Sequence, residues 1–419
     1  MFILDLFSGA GGLAEGFLET GYTSVAHIEM DKDAINTLHT RLAYHYLVIN
    51  GKQKKYWDYL KNKFSREDLY LLLPACLNDT IINQMLTEST LDDIYEKIDK
   101  NMKQMNCTDI DVLIGGPPCQ TFSVISRSSK KYEDRSDQRN YLYKIYAKIL
   151  GHFKPKFFVF ENVPGIMTIN KGNTYDELLK LIEEQGYTVD PQILNAKDYG
   201  VLQDRKRVII TGWKKEYAIE KIKYKEITYL NSVVNDLLND LSAVNPGEEL
   251  NRYQKEPSGY LMETGIRNSS CPLTLHMCRY QNENDREIYR IAAQMWDKDN
   301  KRLMYNTLPP EYITRSNVET FKDKYKVVAG NLQYSHTVIA HIAKDGHYYI
   351  HPDAKQARSI SVREAARLQS FPDSYYFEGA RAKKYMQIGN AVPPLMAKQI
   401  AQGIKEAIEN INGNAKIQT

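Results

Sequence analysis

One cysteine in this 419-residue chain stands where a thiol can do covalent chemistry. The segment Asp111-Val-Leu-Ile-Gly-Gly-Pro-Pro-Cys119-Gln-Thr-Phe-Ser123 reads as a short buried strand closed by two glycines and two prolines. The prolines fix the backbone just past the strand end, the edge where α/β sheets bind ligands. Buried structural cysteines usually sit within apolar runs, whereas Cys119 sits among Pro, Gln, Thr and Ser. A free thiol has a pKa of about 8.5, so a nucleophile here needs local dipoles or positive charge. A second polar group, Glu161-Asn162-Val163-Pro164, ends the apolar run Phe157-Phe-Val-Phe160. Burial there would raise the carboxyl pKa and suit Glu161 to hold or deliver a proton. Third is Gln203-Asp-Arg205-Lys-Arg207. Strand alternation puts Gln203, Arg205 and Arg207 on one face, a polar face suited to a carboxylate, a phosphate or a base edge.

A glycine turn complements these groups. Asp5-Leu-Phe-Ser-Gly9-Ala-Gly11-Gly12 follows one strand and opens a helix. Its glycines allow close backbone approach to a ligand, and the helix start offers free N–H groups. Glu29 lies 20 residues beyond Gly9 at the end of a second strand, where a ribose-binding carboxylate belongs in a Rossmann-like unit. The spacing is not GxGxxG, so an adenosyl ligand without a pyrophosphate, such as S-adenosylmethionine, fits as well as a dinucleotide.

The elements that must position these residues are an alternating series. Strands are expected at 2–6, 24–29, 111–114, 156–163 and 207–213. Helices are expected near 11–20, 91–105, 138–152 and 174–186, the last stopped by Gly186. That rhythm implies a parallel, doubly wound α/β sheet over 1–213. Beyond 213 the rhythm stops, and 214–355 reads as a second, irregular domain. Helical periodicity returns at 361–368 and 395–411. Residues 40–75 read as an insertion. Within it, 51–66 holds six Lys/Arg and one acid, a solvated excursion or a polyanion contact. Asp345-Gly346 predicts a hairpin over 341–351.

Composition narrows the class. Hydrophobic residues make up 42% and charged residues 26%, values of an ordinary globular protein. There is no run of 18 apolar residues, and the N-terminal residues lack a basic leader pattern, so neither a membrane span nor a secretory signal is expected. Five cysteines form no CxxC pair, which fits a reducing cytoplasm. The net charge of +3 neither requires nor excludes a polyanion. His336, His341, His347 and His351 lack a cysteine or acid at ligand spacing, so no metal is expected.

Taken together the motifs resemble the DNA (cytosine-5)-methyltransferase family of the bacterial and phage restriction–modification type. The blocks DLFSGAGG (5–12), Glu29, GGPPCQTFS (115–123), DQRNYL (137–142), ENV (161–163), DYGVLQDRKRV (198–208), VREAARLQSFPD (362–373) and GNAVPP (389–394) occur in the family's order. The resemblance covers nearly the whole chain. It implies a Rossmann-like S-adenosylmethionine-dependent domain, 1–213 plus 386–419, and a smaller, irregular, mostly β target-recognition domain, 214–356. Residues 357–385 would be a hinge linking the two.

The resemblance also assigns roles. Cys119 would add to carbon 6 of a flipped cytosine, activating carbon 5 for the methyl group. Glu161 would engage N3 and the exocyclic amine. Arg205 and Arg207 would brace the site and contact O2. On the cofactor side, Phe7, Gly9, Gly11, Gly12, Glu29, Met30, Leu142, Asn390 and Val392 would line the pocket. For the acid over the adenine, Asp79 with Thr80 fits better than Asp92 or Asp93. Ser123, Arg127, Gln203 and Thr337 would contact DNA. Val124-Ile125 stands where members often carry Ala-Gly, which bears on the loop after Cys119. The implied partners are double-stranded DNA and a cognate restriction endonuclease. A tRNA methyltransferase of the same superfamily and a silent DNA-binding scaffold are the alternatives. The long middle region and the intact Cys119 and Glu161 weigh against them.

Overall fold

The computed structural model describes residues 1–118, 141–314 and 317–417. Cys119, Ser123 and Arg127 lie outside the described residues. The chain order runs β1 (Phe2–Leu6), α1 (Gly12–Glu19), β2 (Thr23–Glu29), α2 (Lys32–Ile49), α3 (Gln53–Leu60), α4 (Arg66–Tyr70), α5 (Ala75–Asn78), β3 (Ile81–Asn83) and α6 (Leu91–Gln104). Then come β4 (Val112–Gly115), α7 (Leu142–Phe153), β5 (Phe157–Asn162), α8 (Asn173–Glu184), β6 (Tyr187–Asn195), β7 (Gln203–Asp204) and β8 (Lys206–Lys214). Beyond them lie α9 (Gly259–Glu263), α10 (Glu283–Asp299), α11 (Val318–Phe321), β9 (Ser335–His336), α12 (Val362–Leu368), α13 (Arg381–Asn390) and α14 (Pro394–Ile417).

A seven-stranded sheet has the order β3-β2-β1-β4-β5-β8-β6. The strands from β3 to β5 pair in parallel, while β8 runs antiparallel to both β5 and β6. Alternation sorts its side chains to two faces. Leu4, Leu6, Ile28 and Leu113 pack beneath α6, α7 and α8 through Ile94, Ile98, Tyr146, Ile149, Leu178 and Ile182. Ile3, Val112, Ile114 and Val159 meet α1 and α14 through Phe17, Met396, Ile400 and Ile404. The last helix thus returns beside the first. Gly16 permits this, because a Cβ there would lie 2.3 Å from the Lys398 nitrogen.

Several elements were not visible in the periodicity. β6 carries Asp190-Pro191, which reads against a strand. It is the sheet's edge, where a proline costs no ladder bond. α2 extends to Ile49, so the insertion grows from a helix that begins inside the α/β unit. Tyr56, Tyr59, Leu60 and Leu69 give α3 and α4 a small core of their own. The expected hairpin at 341–351 does not form. A 3-10 turn at Ala340–Ala343 stands there, because the Arg279 guanidinium donates to the carbonyls of Ile342, Ala343 and Lys344. The 214–356 region is irregular as expected, but among its described residues the longest regular element is helix α10, not a β-sheet. Its core is built from side chains, Tyr289, Tyr305 and Tyr325 among them. Residues 357–385, expected as a hinge, are densely buried and share a core with Val234, Leu261, Val338 and Ile388.

One ion-paired cluster fastens the glycine turn to this second core. Glu15 of α1 is buried and accepts from Arg41 Nε at 2.9 Å and Arg41 Nη2, with His45 Nε2 3.0 Å away. Arg41 also donates to Ser374 Oγ at 3.1 Å. Burial opposes the charge on Glu15, but Arg41 and His45 outweigh it and hold the carboxyl well below the usual glutamate range. A carboxylate with a depressed pKa stabilises the fold fully above its unfolded pKa and loses that contribution as pH falls. Glu15→Gln should therefore cost about 3 kcal/mol at pH 7 in urea melts. The gap from wild type should narrow below pH ~4.5; a constant gap down to pH 3 would contradict the pairing.

Candidate active site

The parallel strands place two turns side by side. β1 is flanked by β2 and β4, with Leu6 opposite Gly115. The chain proceeds outward from β1 in one direction to β3, then crosses to β4, so β1 and β4 border the switch point of the sheet. Ligands of open α/β sheets bind in the crevice at such a point. The glycine turn leaves β1, and Gly116-Pro117-Pro118 leaves β4.

Phe7 adopts φ 54 and Gly9 φ 53, which folds the turn back over the strand ends. Gly9 N donates to Glu29 Oε2 at 2.9 Å. Met30 N and Asp31 N donate to Glu29 Oε1, each at 2.8 Å. Burial pushes the Glu29 carboxyl up, and these three N–H groups counter it. The three glycines have different reasons. A Cβ on Gly9 would meet nothing within 4 Å. One on Gly11 would press on Leu38 and Tyr375, and one on Gly12 would lie 2.4 Å from the Val392 carbonyl. Gly11 and Gly12 thus allow the turn to pack, while Gly9 borders open space. Met30 and Asn390 are exposed there, Val392 is buried, and Leu142 is half-buried at the start of α7. An open glycine beside a fixed strand-end carboxylate suits an adenosyl group.

Asp79 and Thr80 lie elsewhere. β3 runs parallel to β2 with Glu29 opposite Asn83, so residues ahead of Ile81 sit at the other edge of the sheet. There Asp79 pairs with Lys100 at 2.8 Å, and Thr80 donates to Leu77 O. The strand end beside Glu29 carries Asn83, which the sequence reading missed. Its Nδ2 donates to the carbonyls of Glu29 and Met30 at 3.1 and 3.2 Å, leaving Oδ1 as an acceptor for an amine. The available signal was the strand Ile81-Ile82, hidden by its brevity.

Across the switch point, Glu161 is the penultimate residue of β5. Arg207 Nε stands 2.9 Å from Glu161 Oε1, with both side chains mostly buried. Burial raises the Glu161 pKa, opposed by Arg207 and then Arg205. Gly116 lies directly against this carboxylate, since a Cβ there would sit 2.9 Å from Oε2. Asn162 Nδ2 donates to Pro117 O at 3.1 Å. The turn that leads to Cys119 is therefore fastened to the residue after Glu161.

Gln203, Arg205 and Arg207 share a buried face, as alternation requires, and Arg207 makes the ion pair with Glu161. Arg205 is fully buried and donates to the carbonyls of Val338, Gly389 and Ala391 at 2.5, 3.0 and 2.9 Å. This corrects its expected contact with a base, because both terminal nitrogens of its guanidinium are engaged by backbone carbonyls. Gln203 is equally buried. Its Nε2 donates to Leu368 O and Gln369 Oε1, and its Oε1 accepts from Val338 N. It joins segments and does not face DNA. Thr337 is only partly buried and donates to Asp204 O at 2.6 Å.

The C-5 cytosine-specific DNA methylase family matches residues 1–67 and 79–406. The chain belongs to this family. Over 97% of its length it is 37% identical to a type II methyltransferase, M.Bpa9945I, of Bacillus paralicheniformis, 99% of which is covered. It is 30% identical over 98% of its length to the type II methyltransferase M.DdeI of Desulfomicrobium norvegicum, covering 90% of that protein. Its fold is shared, at TM-score 0.60 and 22% identity, with a prophage-encoded E. coli protein described as a DNA modification methyltransferase, covering 98% of this chain and 99% of that one. The methylase family uses S-adenosylmethionine, which fits the open Gly9 and the Glu29 carboxylate.

The two strand ends make opposite predictions for cofactor affinity. Asn83→Ala should weaken S-adenosylhomocysteine binding by about fivefold, one hydrogen bond of about 1 kcal/mol, in calorimetry. Asp79→Ala should leave it within about twofold. The reverse ranking would return the adenine contact to Asp79.

Proposed function

We propose that this methylase is a site-specific DNA cytosine-5 methyltransferase of a type II restriction–modification system, with Cys119 as nucleophile and Glu161 as proton donor to the target ring. The observation that carries the residue roles is the Arg207–Glu161 pair, 2.9 Å apart, packed against the turn two residues before Cys119. S-adenosylmethionine, when bound, supplies a methyl group activated by its sulfonium. The target cytosine must leave the stack to reach the site. The Cys119 thiolate adds to carbon 6, breaking the 5,6 double bond and making carbon 5 nucleophilic. Glu161, whose pKa burial raises against the opposing pull of Arg207, would deliver a proton at N3 where negative charge develops. Arg207 fixes that carboxyl and bears on O2. After carbon 5 is methylated, its proton passes to a water molecule acting as base, the thiolate leaves carbon 6 to re-form the 5,6 double bond, and the N3 proton returns to Glu161. Arg205 and Gln203 position the site without touching the base. Residues 214–356 would carry target recognition, with Thr337 against the DNA backbone. A cognate endonuclease is the functional partner inferred, and the cytoplasm the compartment.

Bisulfite sequencing of DNA from cells expressing the chain tests this reading. One methylated motif is expected with wild type and none with Cys119→Ala. Absence of methylated DNA with methylated tRNA would favour the RNA alternative. Glu161→Gln should slow methylation by about 10²–10³-fold with an unchanged melting temperature. In wild type the rate should fall as pH rises through the raised Glu161 pKa, and that limb should vanish in the variant. A near-wild-type rate would assign N3 to another group.

A further inference from the structure

A cavity of about 340 Å³ lies where β9 meets β7 and is lined by Arg302, Lys326, Ser335, His336, Trp296 and Tyr334, with Asp204 among its walls. It adjoins the residues described above, since β7 carries Gln203 and β9 leads into Thr337. Its polar groups are incompletely satisfied. Ser335 is 2% exposed, and its Oγ has no hydrogen-bond partner among the described residues. Arg302 Nε is likewise buried and unpartnered, while Nη2 is engaged by Asp323. Lys326 is half-buried with no ion pair among the described residues. Burial first, and then Arg302, pushes its pKa down.

His336 adds no charge to the cavity. Its Nε2 donates to Tyr348 O at 2.6 Å, and burial, then Lys326, drives its pKa to about 3, so the ring is neutral. Of the carboxylates nearby, Asp204 is exposed and accepts from Asn195 Nδ2, and Asp323 is taken by Arg302. The two cations, Arg302 and Lys326, are thus matched in number by Asp323 and Asp204, but among the described residues the Ser335 Oγ and Arg302 Nε donors have no partner and Lys326 makes no direct ion pair. Trp296, fixed by its Nε1 bond to Asn331 Oδ1 at 2.8 Å, and Tyr334 supply flat apolar walls.

We infer that this cavity receives a phosphodiester of the DNA strand next to the target, with Lys326, Arg302 and Ser335 Oγ as donors and the aromatic walls against the attached sugar. The inference rests on the DNA-methyltransferase reading. Its position beside Thr337 puts a phosphate there within reach of a strand entering the Glu161–Arg207 site. A phosphate contact is neutral to sequence and contributes to the salt dependence of binding.

The test is binding of duplex DNA to wild type, Lys326→Gln, Lys326→Arg and Ser335→Ala across ~50–200 mM salt, with melting temperature as the folding control. For Lys326→Gln the slope of log K against log salt should flatten by about one, with affinity about fivefold lower. Lys326→Arg should restore both, and Ser335→Ala should weaken binding while keeping the slope. Wild-type slope and affinity in Lys326→Gln, with duplex binding intact, would overturn the pocket alone. Inorganic phosphate binding lost in Lys326→Gln without any change toward DNA would make it a free-anion site and also overturn the assignment. A wild-type protein that binds no duplex would overturn the functional reading itself.

Discussion

Everything at the active site depends on how the Arg205 guanidinium is satisfied. A fully buried guanidinium without partners would cost several kcal/mol. Here it donates to the carbonyls of Val338, Gly389 and Ala391, groups 133 to 186 residues away in sequence. Gln203 adds Leu368, Gln369 and Val338 N. The strand that carries Arg207 is thereby locked to the 214–356 region through Val338 and to the turn after α13 through Ala391. Gly389 packs against Ile339 and Ala340 with no room for a side chain. Chain order and spatial order diverge, and two polar side chains reconcile them.

A division of labour follows. Within one polar face of alternating residues, Gln203 and Arg205 bond to distant backbone, and Arg207 pairs with Glu161, the carboxylate proposed to act on the ring. The glycine turn divides in the same way. Gly11 and Gly12 are demanded by Leu38, Tyr375 and Val392, whereas Gly9 is favoured by its left-handed φ of 53 and leaves open space beside Glu29. Residue type alone does not separate these roles, because a buried arginine and a catalytic one look alike in a sequence.

What was legible in the sequence was local. Strands β1, β2, β4, β5 and β8 show as short apolar runs, and the turns after β1 and β4 show as glycines and prolines. Glu29 and Glu161 stand out as candidates because each closes an apolar run. Asp79 was misplaced because β3 is three residues long, too short for periodicity to reveal which side of it is the ligand edge. Asn83 was missed for the same reason. The hairpin at 341–351 was read from Asp345-Gly346, but Arg279, some 65 residues upstream, captures the carbonyls a ladder would need. The region 214–356 was opaque because its order comes from tyrosine packing and side-chain hydrogen bonds, which have no period.

The most direct test uses DNA carrying 5-fluorocytosine in place of cytosine. Fluorine cannot leave carbon 5 as a proton does, so a thiolate that has added to carbon 6 stays attached. Incubation with S-adenosylmethionine, digestion and mass spectrometry would locate the linkage. A covalent nucleotide on the peptide containing Cys119, absent in Cys119→Ala, is the expected result. No adduct, or one on Cys76, Cys107, Cys271 or Cys278, would contradict the assignment of Cys119 as the nucleophile.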